Sequence, residues 1–532
     1  MRPLRSASLA CCLLAACSSP PKSPPAGDAG TAGSGRPLPP VFLWGVSTAA
    51  EQSEGGNTTN DWHVFAGMGK VPPVGMADDM WDRYDTDFAN AQGMGANEFR
   101  LTFEWARLMP RRPADPAHPT EADLDPTALD HYRAVVASLK SHGLTPVVTL
   151  THYTVPAWID NPAAYDADKN LFTDGSPGAW LSPQTAVAFG GYAGLMAQEF
   201  GGEVTYWLTE NEPEVDLIAG YLAGIWPPGL ALFSLTEKTL PGGVGLGDVL
   251  RNMIAGHAAA FHAIKAVEPA AKVSLAHNSI AFEPYTQRPA DVAAEKRVEF
   301  LYDFLYLDAA TSGNFDTSLV GNGPLEYHAD WKGTLDFIGV NFYAHDVAFY
   351  YQGLLPPLEA IPCDVTIESA LGGILNGMGC PTTNPPEPVG LTDLLVTYGQ
   401  RYHLPILITE NVGNDPDPRV KASYLVQNVL ALEAAAAQGV SLLGYSYWTL
   451  NDDYEWQSGY GDSFGLFAVA GMHDGPDGGL PAGVDGGPWE PGPSTDFTRV
   501  PRTEATRAFS AIADAGYVPE SLAAEYAPDG GD

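Results

Sequence analysis

Ile406-Leu-Ile-Thr-Glu-Asn411 is a short, apolar, β-rich run that ends in one carboxylate, Glu410. Leu404-Pro405 precedes it and a loop with Gly413 follows, a pattern typical of a buried parallel strand. In α/β barrels and open α/β sheets, ligands bind at the C-terminal edge of such strands, and catalytic residues lie there. The stretch therefore makes Glu410 a candidate catalytic residue.

Strand-like stretches recur along the chain, and helical patterns fill the intervals between them. We predict eight strands: Val41–Ala49, Asn97–Leu101, Thr145–Thr151, Val204–Thr209, Lys272–His277, Leu335–Tyr343, Ile406–Glu410 and Leu442–Thr449. The helical patterns include Leu129–His142, Thr185–Phe200, Asp248–Val267, Gly390–Tyr402 and Arg419–Gln438. Strands alternating with amphipathic helices favour a parallel sheet, and eight such units favour closure. The predicted fold is α/β, a single (β/α)8 TIM barrel with long βα loop insertions at Leu230–Gly247, Ala344–Pro388 and Ala470–Pro493.

The composition narrows the class of protein. The chain has 532 residues, of which 45% are hydrophobic, which is ample for a large core and excludes global disorder. It carries 64 acidic and 27 basic residues, a formal net charge of −37 at pH 7. This excess of negative charge argues against a surface that binds nucleic acid or an anionic membrane.

The N-terminus has the pattern of an export signal. Arg2 and Arg5 precede the apolar run Ala7–Ala16, which is too short to span a bilayer. Leu14-Ala-Ala-Cys17 resembles the lipobox of bacterial lipoproteins, which implies cleavage before Cys17 and lipidation of its thiol. We therefore expect an exported, membrane-anchored lipoprotein, facing the periplasm or the cell surface; a plain secretory signal is the alternative.

These patterns divide the chain into four parts. We expect a signal peptide at 1–16, the lipidated cysteine with a flexible Pro/Gly/Ser tether at 17–40, one folded domain at 41–520 and an acidic, Gly-containing tail at 521–532. Of the five cysteines, Cys363 and Cys380 remain once the signal and the lipidated residue are set aside. They form a disulfide candidate in an oxidising compartment, and two free thiols are the alternative.

A second carboxylate is predicted at the edge where Glu410 lies. The stretch Thr205-Tyr-Trp-Leu-Thr-Glu-Asn-Glu-Pro213 ends the fourth strand and carries Glu212 next to Asn211. Two carboxyl groups about 5–5.5 Å apart suit retaining glycoside hydrolysis, in which one attacks the sugar and the other donates and later accepts a proton. We therefore expect Glu212 and Glu410 to face one another across the barrel mouth.

Thr-Glu-Asn-Glu-Pro213 and Ile-Thr-Glu-Asn411 resemble the acid/base and nucleophile signatures of glycoside hydrolase family 1, the β-glucosidase and β-galactosidase family. Further stretches fall in that family's order, namely Phe42–Gly55, Phe99–Trp105, Thr149–Pro156, Asp336–Tyr343, Tyr447–Trp456 and Phe464–Leu466. The resemblance covers about Val41 to Ala515. It implies a (β/α)8 barrel and a retaining β-glycosidase with no metal or cofactor.

The resemblance also implies a role for each matching residue. Glu410 matches the nucleophile, Glu212 the acid/base, and Arg100 the arginine that keeps the nucleophile ionised. The substrate-binding residues that match are Gln52, His152, Asn211, Tyr343, Trp448, Glu455 and Trp456. Trp448 matches the aromatic floor under the sugar, and Tyr343 a tyrosine that is hydrogen-bonded to the nucleophile.

The expected activity is hydrolysis of terminal, non-reducing β-linked sugars, with oligosaccharides or aryl and alkyl β-glycosides as substrates. A β-glucosidase is the expected specificity, and the membrane is contacted through the lipid alone. Two alternatives stay open: a transglycosylase with the same nucleophile, and a non-catalytic glycan-binding relative. The chain departs from the family at Val412, where Gly is usual, and at Tyr153 and Thr154, which replace the usual companions of His152.

Overall fold

The computed structural model describes residues 38–232, 234–362, 390–472 and 496–527. Eight parallel strands form its central sheet. They are β1 Leu43–Ser47, β2 Glu98–Thr102, β3 Thr145–Thr151, β4 Tyr206–Asn211, β5 Lys272–Pro284, β6 Ile338–Tyr350, β7 Ile406–Glu410 and β8 Leu442–Trp448. Each strand pairs with the next along the chain, and β8 pairs with β1, Leu43 lying opposite Gly444. The sheet is therefore a closed barrel, and the predicted fold class is confirmed.

Helices follow most strands and cover the outside of the barrel. The longer ones are Met80–Gly93, Pro126–Ser141, Pro183–Phe200, Leu246–Val267, Pro289–Glu299, Leu305–Ser312, Leu391–Tyr402, Pro418–Ala437 and Thr503–Ala515. Shorter ones are Ala50–Ser53, Asp61–Gly67, Trp105–Leu108, Pro213–Asp216 and Glu520–Glu525, and π-helical turns lie at Leu217–Leu222 and Phe300–Phe304. In the described ranges, no helix has both the length and the apolar character needed to cross a membrane.

Three of the outer helices begin with the same local signal. Asp125, Ser182 and Asp417 each precede a proline, and each side chain accepts a hydrogen bond from a backbone N–H of the first turn. The proline occupies a position whose N–H would be unpaired in any case. These helices therefore start one to three residues before the predicted positions.

The barrel interior has a small core of its own. Val147, Leu208, Ala276, Phe337 and Leu407 form an apolar cluster separate from the large core between strands and helices. Most of them lie near the N-terminal ends of their strands, several residues before Glu212 and Glu410. The cluster therefore leaves the C-terminal ends of the strands for polar side chains, as in other barrels of this type.

Two strands are longer than predicted. β5 and β6 have 13 residues each and continue beyond the barrel, where 345–348 pair with 281–284. Residues 360–362 then pair antiparallel with 348–350. The expected loop Ala344–Pro388 is thus wrong over 344–350 and 360–362. Val347, Phe349 and Tyr350 favour a strand.

The described domain reaches beyond the expected limits of 41 and 520. Leu38 is buried, and its backbone N–H donates to the Gly516 carbonyl. Leu522 and Tyr526 are buried on the last helix and just after it. The expected signal peptide, Cys17, most of the tether, and Cys363 and Cys380 lie outside the described residues.

Candidate active site

Glu410 and Glu212 lie at the same end of the barrel. Glu410 is the last residue of β7, and Glu212 directly follows β4 with its backbone in the left-handed region, φ +44°. Their exposed fractions are 3% and 5%. Two carboxyl groups in so little contact with water depend on their protein neighbours for their charge.

Glu410 has a cation and a hydroxyl beside it. The Arg100 guanidinium, on β2, donates from Nη1 to Oε1 in a fully buried ion pair. The Tyr343 hydroxyl donates to Oε2 at 2.6 Å. Burial raises the pKa of the Glu410 carboxyl, and Arg100 and Tyr343 act in the opposite direction by stabilising the charged form.

Glu212 is hydrogen-bonded to neighbouring side chains, and no cationic side chain in the described part of the chain contacts it. Asn341 on β6 donates from Nδ2 to Oε1 at 2.7 Å, and the Tyr153 hydroxyl is hydrogen-bonded to Oε2. Burial raises the pKa of Glu212 to about 8, with a further contribution from the negative charge of Glu410. At neutral pH this carboxyl therefore holds a proton.

A chain of side-chain hydrogen bonds links the two carboxylates. Arg100 donates from Nη2 to Asn211 Oδ1 at 2.6 Å, and Asn341 donates to the same oxygen at 3.1 Å. Thr409 fixes Asn341 by donating to its Oδ1 at 2.6 Å. Arg100 also contacts Glu410, and Asn341 also contacts Glu212. Both carboxylates are therefore held by one hydrogen-bond network.

The same series of hydrogen bonds fixes the tautomer of His152. A guanidinium can only donate, so Asn211 Oδ1 is an acceptor and Asn211 Nδ2 is the donor to His152 Nε2, at 3.0 Å. Burial, and then Arg100, lower the pKa of His152 well below its usual value, so the ring is neutral. The proton therefore lies on Nδ1, a buried atom with no protein partner among the described residues. It is free to donate to a ligand hydroxyl.

A second set of hydrogen-bonded side chains consists of Gln52, Trp448 and Glu455. Gln52 Nε2 donates to Glu455 Oε1 at 3.1 Å, and Trp448 Nε1 donates to the same oxygen at 3.3 Å. Gln52 Oε1 is buried and has no partner in the described part of the chain. Buried polar atoms are nearly always hydrogen-bonded, so this oxygen and the His152 N–H mark the ligand-facing side of the site.

Aromatic rings form one wall. The Trp448 ring lies 5.7 Å from His152 with an interplanar angle of 27°, and Trp456 lies 5.9 Å from His152 with an angle of 19°. All nine predicted catalytic and substrate-binding residues, together with Arg100, thus lie in one connected region. No group of three or more His, Cys, Asp or Glu side chains in the described ranges is arranged to hold a metal ion.

The departures at Val412 and Thr154 have local explanations. Val412 is buried, and the glycine comes one position later, where a Cβ on Gly413 would lie 2.5 Å from the Tyr424 ring. Thr154 donates to the Glu104 carboxylate at 2.9 Å, away from the two catalytic candidates. The sequence indicates no role for two side chains that contact Glu212, namely Asn341 and Tyr153. Asn341 lies within the predicted strand Leu335–Tyr343, in register with Glu410 on β7, and this place in the strand is the signal that could identify it. The role of Tyr153 depends on a left-handed backbone, φ +68°.

Comparisons with known proteins identify the family of the chain. The family model described as Glycosyl hydrolase family 1 matches residues 35–475. The β-galactosidase of Saccharolobus solfataricus is 30% identical over 472 residues, covering 81% of this chain and 91% of that protein. The chloroplastic β-glucosidase-like protein SFR2 of Oryza sativa is 29% identical over 436 residues, covering 81% of this chain but 58% of that relative, so the chain spans less than two thirds of its length.

Among solved structures, the β-glycosidase from Pyrococcus horikoshii has a TM-score of 0.72 at 24% identity, with 93% of this chain and 99% of that chain covered. This likeness supports the barrel, and the family match extends over most of the sequence. The chain belongs to glycosyl hydrolase family 1 and is a glycosidase of that family.

Proposed function

We propose that this protein is a retaining β-glycosidase, most active on β-glucosides, with Glu410 as nucleophile and Glu212 as acid/base. The observation that carries the proposal is the contrast between two buried carboxyls of one site. Glu410 is paired with Arg100, whereas burial and the charge of Glu410 raise the pKa of Glu212 to about 8. One group suits attack as an anion, and the other suits proton donation at neutral pH.

In the first step Glu410 attacks the anomeric carbon while Glu212 gives its proton to the glycosidic oxygen. The bond from the anomeric carbon to the leaving oxygen breaks, and a glycosyl ester forms on Glu410. In the second step Glu212, now a carboxylate, takes a proton from water, which attacks the same carbon and releases Glu410. Two displacements on opposite faces leave the product with the β configuration of the substrate.

The polar lining supports a neutral sugar as the ligand. The His152 N–H and the Gln52 carbonyl are a donor and an acceptor without protein partners in the described chain, which suits hydroxyl groups. Glu455 lies beside Gln52 and Trp448 and offers a further acceptor. The Trp448 ring offers an apolar face for the C–H face of a pyranose. Oligosaccharides and aryl or alkyl β-glycosides are the proposed substrates.

The test is a panel of nitrophenyl β-glycosides with purified protein, followed by NMR of the first-formed product. We expect hydrolysis of the β-glucoside and a β anomer that appears before mutarotation. An α anomer formed first would overturn the retaining mechanism. An inert protein that still binds glucosides would leave the glycan-binding alternative, and transfer to an added sugar in preference to water would identify a transglycosylase.

We also propose that the mature protein is exported and anchored through a lipid on Cys17. The support is the sequence Leu14-Ala-Ala-Cys17 after a short apolar run and two arginines. Radiolabelled palmitate given to expressing bacteria should enter the wild type and not Cys17→Ala. Export without label in either protein would contradict the anchor and favour a plain secretory signal.

A further inference from the structure

We propose that Tyr153 is a positioning residue for Glu212: its hydroxyl accepts from the protonated carboxyl, donates to the carboxylate, and keeps the transferable proton on Oε2. This inference rests on the proposed function, since it assigns Glu212 as the acid/base. The contact that carries it is the hydrogen bond between the Tyr153 hydroxyl and Glu212 Oε2.

Tyr153 and two residues that it contacts have an unusual backbone conformation. Tyr153, Glu212 and Trp456 all have left-handed backbones, with φ of +68°, +44° and +44°. Residues other than glycine seldom adopt this conformation, and they cluster at functional sites where the surrounding structure fixes them. Here the three are in contact, because Tyr153 bonds Glu212 and its ring lies 5.0 Å from Trp456.

The Tyr153 ring has little room to move. It lies 4.8 Å from the Trp226 ring at 60° and 5.0 Å from the His152 ring at 88°. With Trp456, these rings surround it on several sides. The confined ring fixes the position of the hydroxyl oxygen, whereas the hydroxyl hydrogen can still rotate about the C–O bond.

Asn341 and Tyr153 contact Glu212 with different chemistry. Asn341 uses its Oδ1 to accept from Thr409, so its Nδ2 can only donate to Glu212 Oε1. An oxygen that accepts from a fixed donor is a poor place for the acidic proton, which therefore belongs on Oε2. A hydroxyl can reverse its hydrogen bond, so Tyr153 can serve Oε2 in both states.

The hydrogen bond between Tyr153 and Glu212 changes direction when Glu212 gives up its proton. Before reaction, Glu212 Oε2 carries the proton and the Tyr153 oxygen is an acceptor. As the glycosidic C–O bond breaks, that proton passes to the leaving oxygen and Oε2 becomes negative. The Tyr153 O–H then rotates to donate to Oε2, and the tyrosine keeps its own proton throughout. The stabilisation grows with the charge on Glu212, so it is largest for substrates that need the acid most.

The surroundings favour a neutral tyrosine. Burial raises the pKa of Tyr153 well above its usual value, with further contributions from Glu212, Glu410 and Tyr302. Around Glu212 the charged or donating groups are Glu410 on β7, Asn341 on β6, Asn278 on β5 and Tyr153 after β3. Removal of the Tyr153 donor takes away one stabiliser of the carboxylate, so the pKa of Glu212 should rise.

The experiment compares two aryl β-glucosides in wild type and Tyr153→Phe. Phenyl glucoside needs proton donation to its leaving group, and 2,4-dinitrophenyl glucoside does not. For Tyr153→Phe we expect kcat/KM to fall about 10- to 100-fold with the phenyl substrate, the scale of a hydrogen bond to a charged group, and less than about threefold with the dinitrophenyl substrate. The basic limb of the pH profile should also move to higher pH.

An equal fall for both substrates, or no fall, would overturn the inference, because a residue that only holds the sugar or the fold does not distinguish leaving groups. The ratio is taken on one preparation, so partial loss of folded protein cancels. Tyr153→Trp keeps a ring and removes the hydroxyl, and should change the ratio in the same direction. Tyr285→Phe, at a half-exposed tyrosine, should leave it unchanged. An inactive wild type would instead contradict the proposed function.

Discussion

Replacing Glu410 by alanine should lower kcat by a factor on the order of 10⁴ or more, the scale on which loss of a covalent nucleophile acts in enzymes. The variant keeps Glu212 and the sugar-binding side chains but has no atom to attack the anomeric carbon. The measurement is hydrolysis of nitrophenyl β-glucoside at substrate concentrations that saturate the wild type.

The identity of the lost function can be tested by chemical rescue. Azide can enter the space left by the Glu410 side chain and attack from the face that the carboxylate used, so a β-glucoside should give an α-glucosyl azide. Recovery through a β-azide, or a variant that retains more than about 1% of activity, would contradict the assignment of Glu410 as nucleophile.

Loss of fold must be separated from loss of chemistry. Removal of the carboxylate leaves Arg100 buried without its ion-pair partner, which is destabilising in general. Glu410→Gln keeps an acceptor for Arg100 and serves as the matched variant. It should unfold close to the wild-type temperature and be equally inactive.

Replacing Glu212 by glutamine should have the second largest effect, and its size should depend on the leaving group. For phenyl or alkyl β-glucosides kcat/KM should fall about 10²- to 10⁴-fold, the usual contribution of a positioned general acid. For 2,4-dinitrophenyl β-glucoside the fall should be small, because its leaving group departs as an anion. A similar loss on every substrate would show that Glu212 acts in binding rather than in proton transfer.

The pH profile gives a second readout for Glu212. Its pKa is raised to about 8, and the protonated form is the active one, so wild-type kcat/KM should be lost as pH rises through about 8. Above that value the rate should fall about tenfold for each pH unit. Glutamine does not titrate, so Glu212→Gln should lack this basic limb. A limb that persists in the variant would assign the titration to another group.

Much of the barrel could be predicted because each strand carries its own signal. Runs such as Ile406–Glu410 and Thr145–Thr151 are buried and β-branched, and their predicted bounds match the structure. The β6 extension contains strand-favouring residues such as Val347 and Phe349. Its pairing with β5 beyond the barrel, after a register shift, is not indicated by either run alone. Asp125 and Asp417, each followed by a proline, mark the first residue of a helix, and hydrophobic periodicity alone does not locate that residue.

In the site, the two carboxylates at strand ends and the residues that match the family motifs could be predicted, whereas the role of Tyr153 could not. Glu410 and Glu212 follow from the ends of β7 and β4, and Arg100 from its match to the family's arginine beside the nucleophile. Tyr153 reaches Glu212 only because its backbone is left-handed, which a tyrosine in a sequence does not indicate. The neutral state of His152 likewise depends on burial and on Arg100, which only the folded chain brings together.

A covalent sugar on Glu410 can be detected by mass spectrometry of the protein after reaction with an activated 2-deoxy-2-fluoro-β-glucoside. The fluorine slows both displacements, and the good leaving group allows the first to proceed, so the ester accumulates. We expect inactivation with one sugar per chain, carried by the peptide that contains Glu410. Label on a different residue, or steady turnover of β-glucosides by a chain that never becomes labelled, would contradict it.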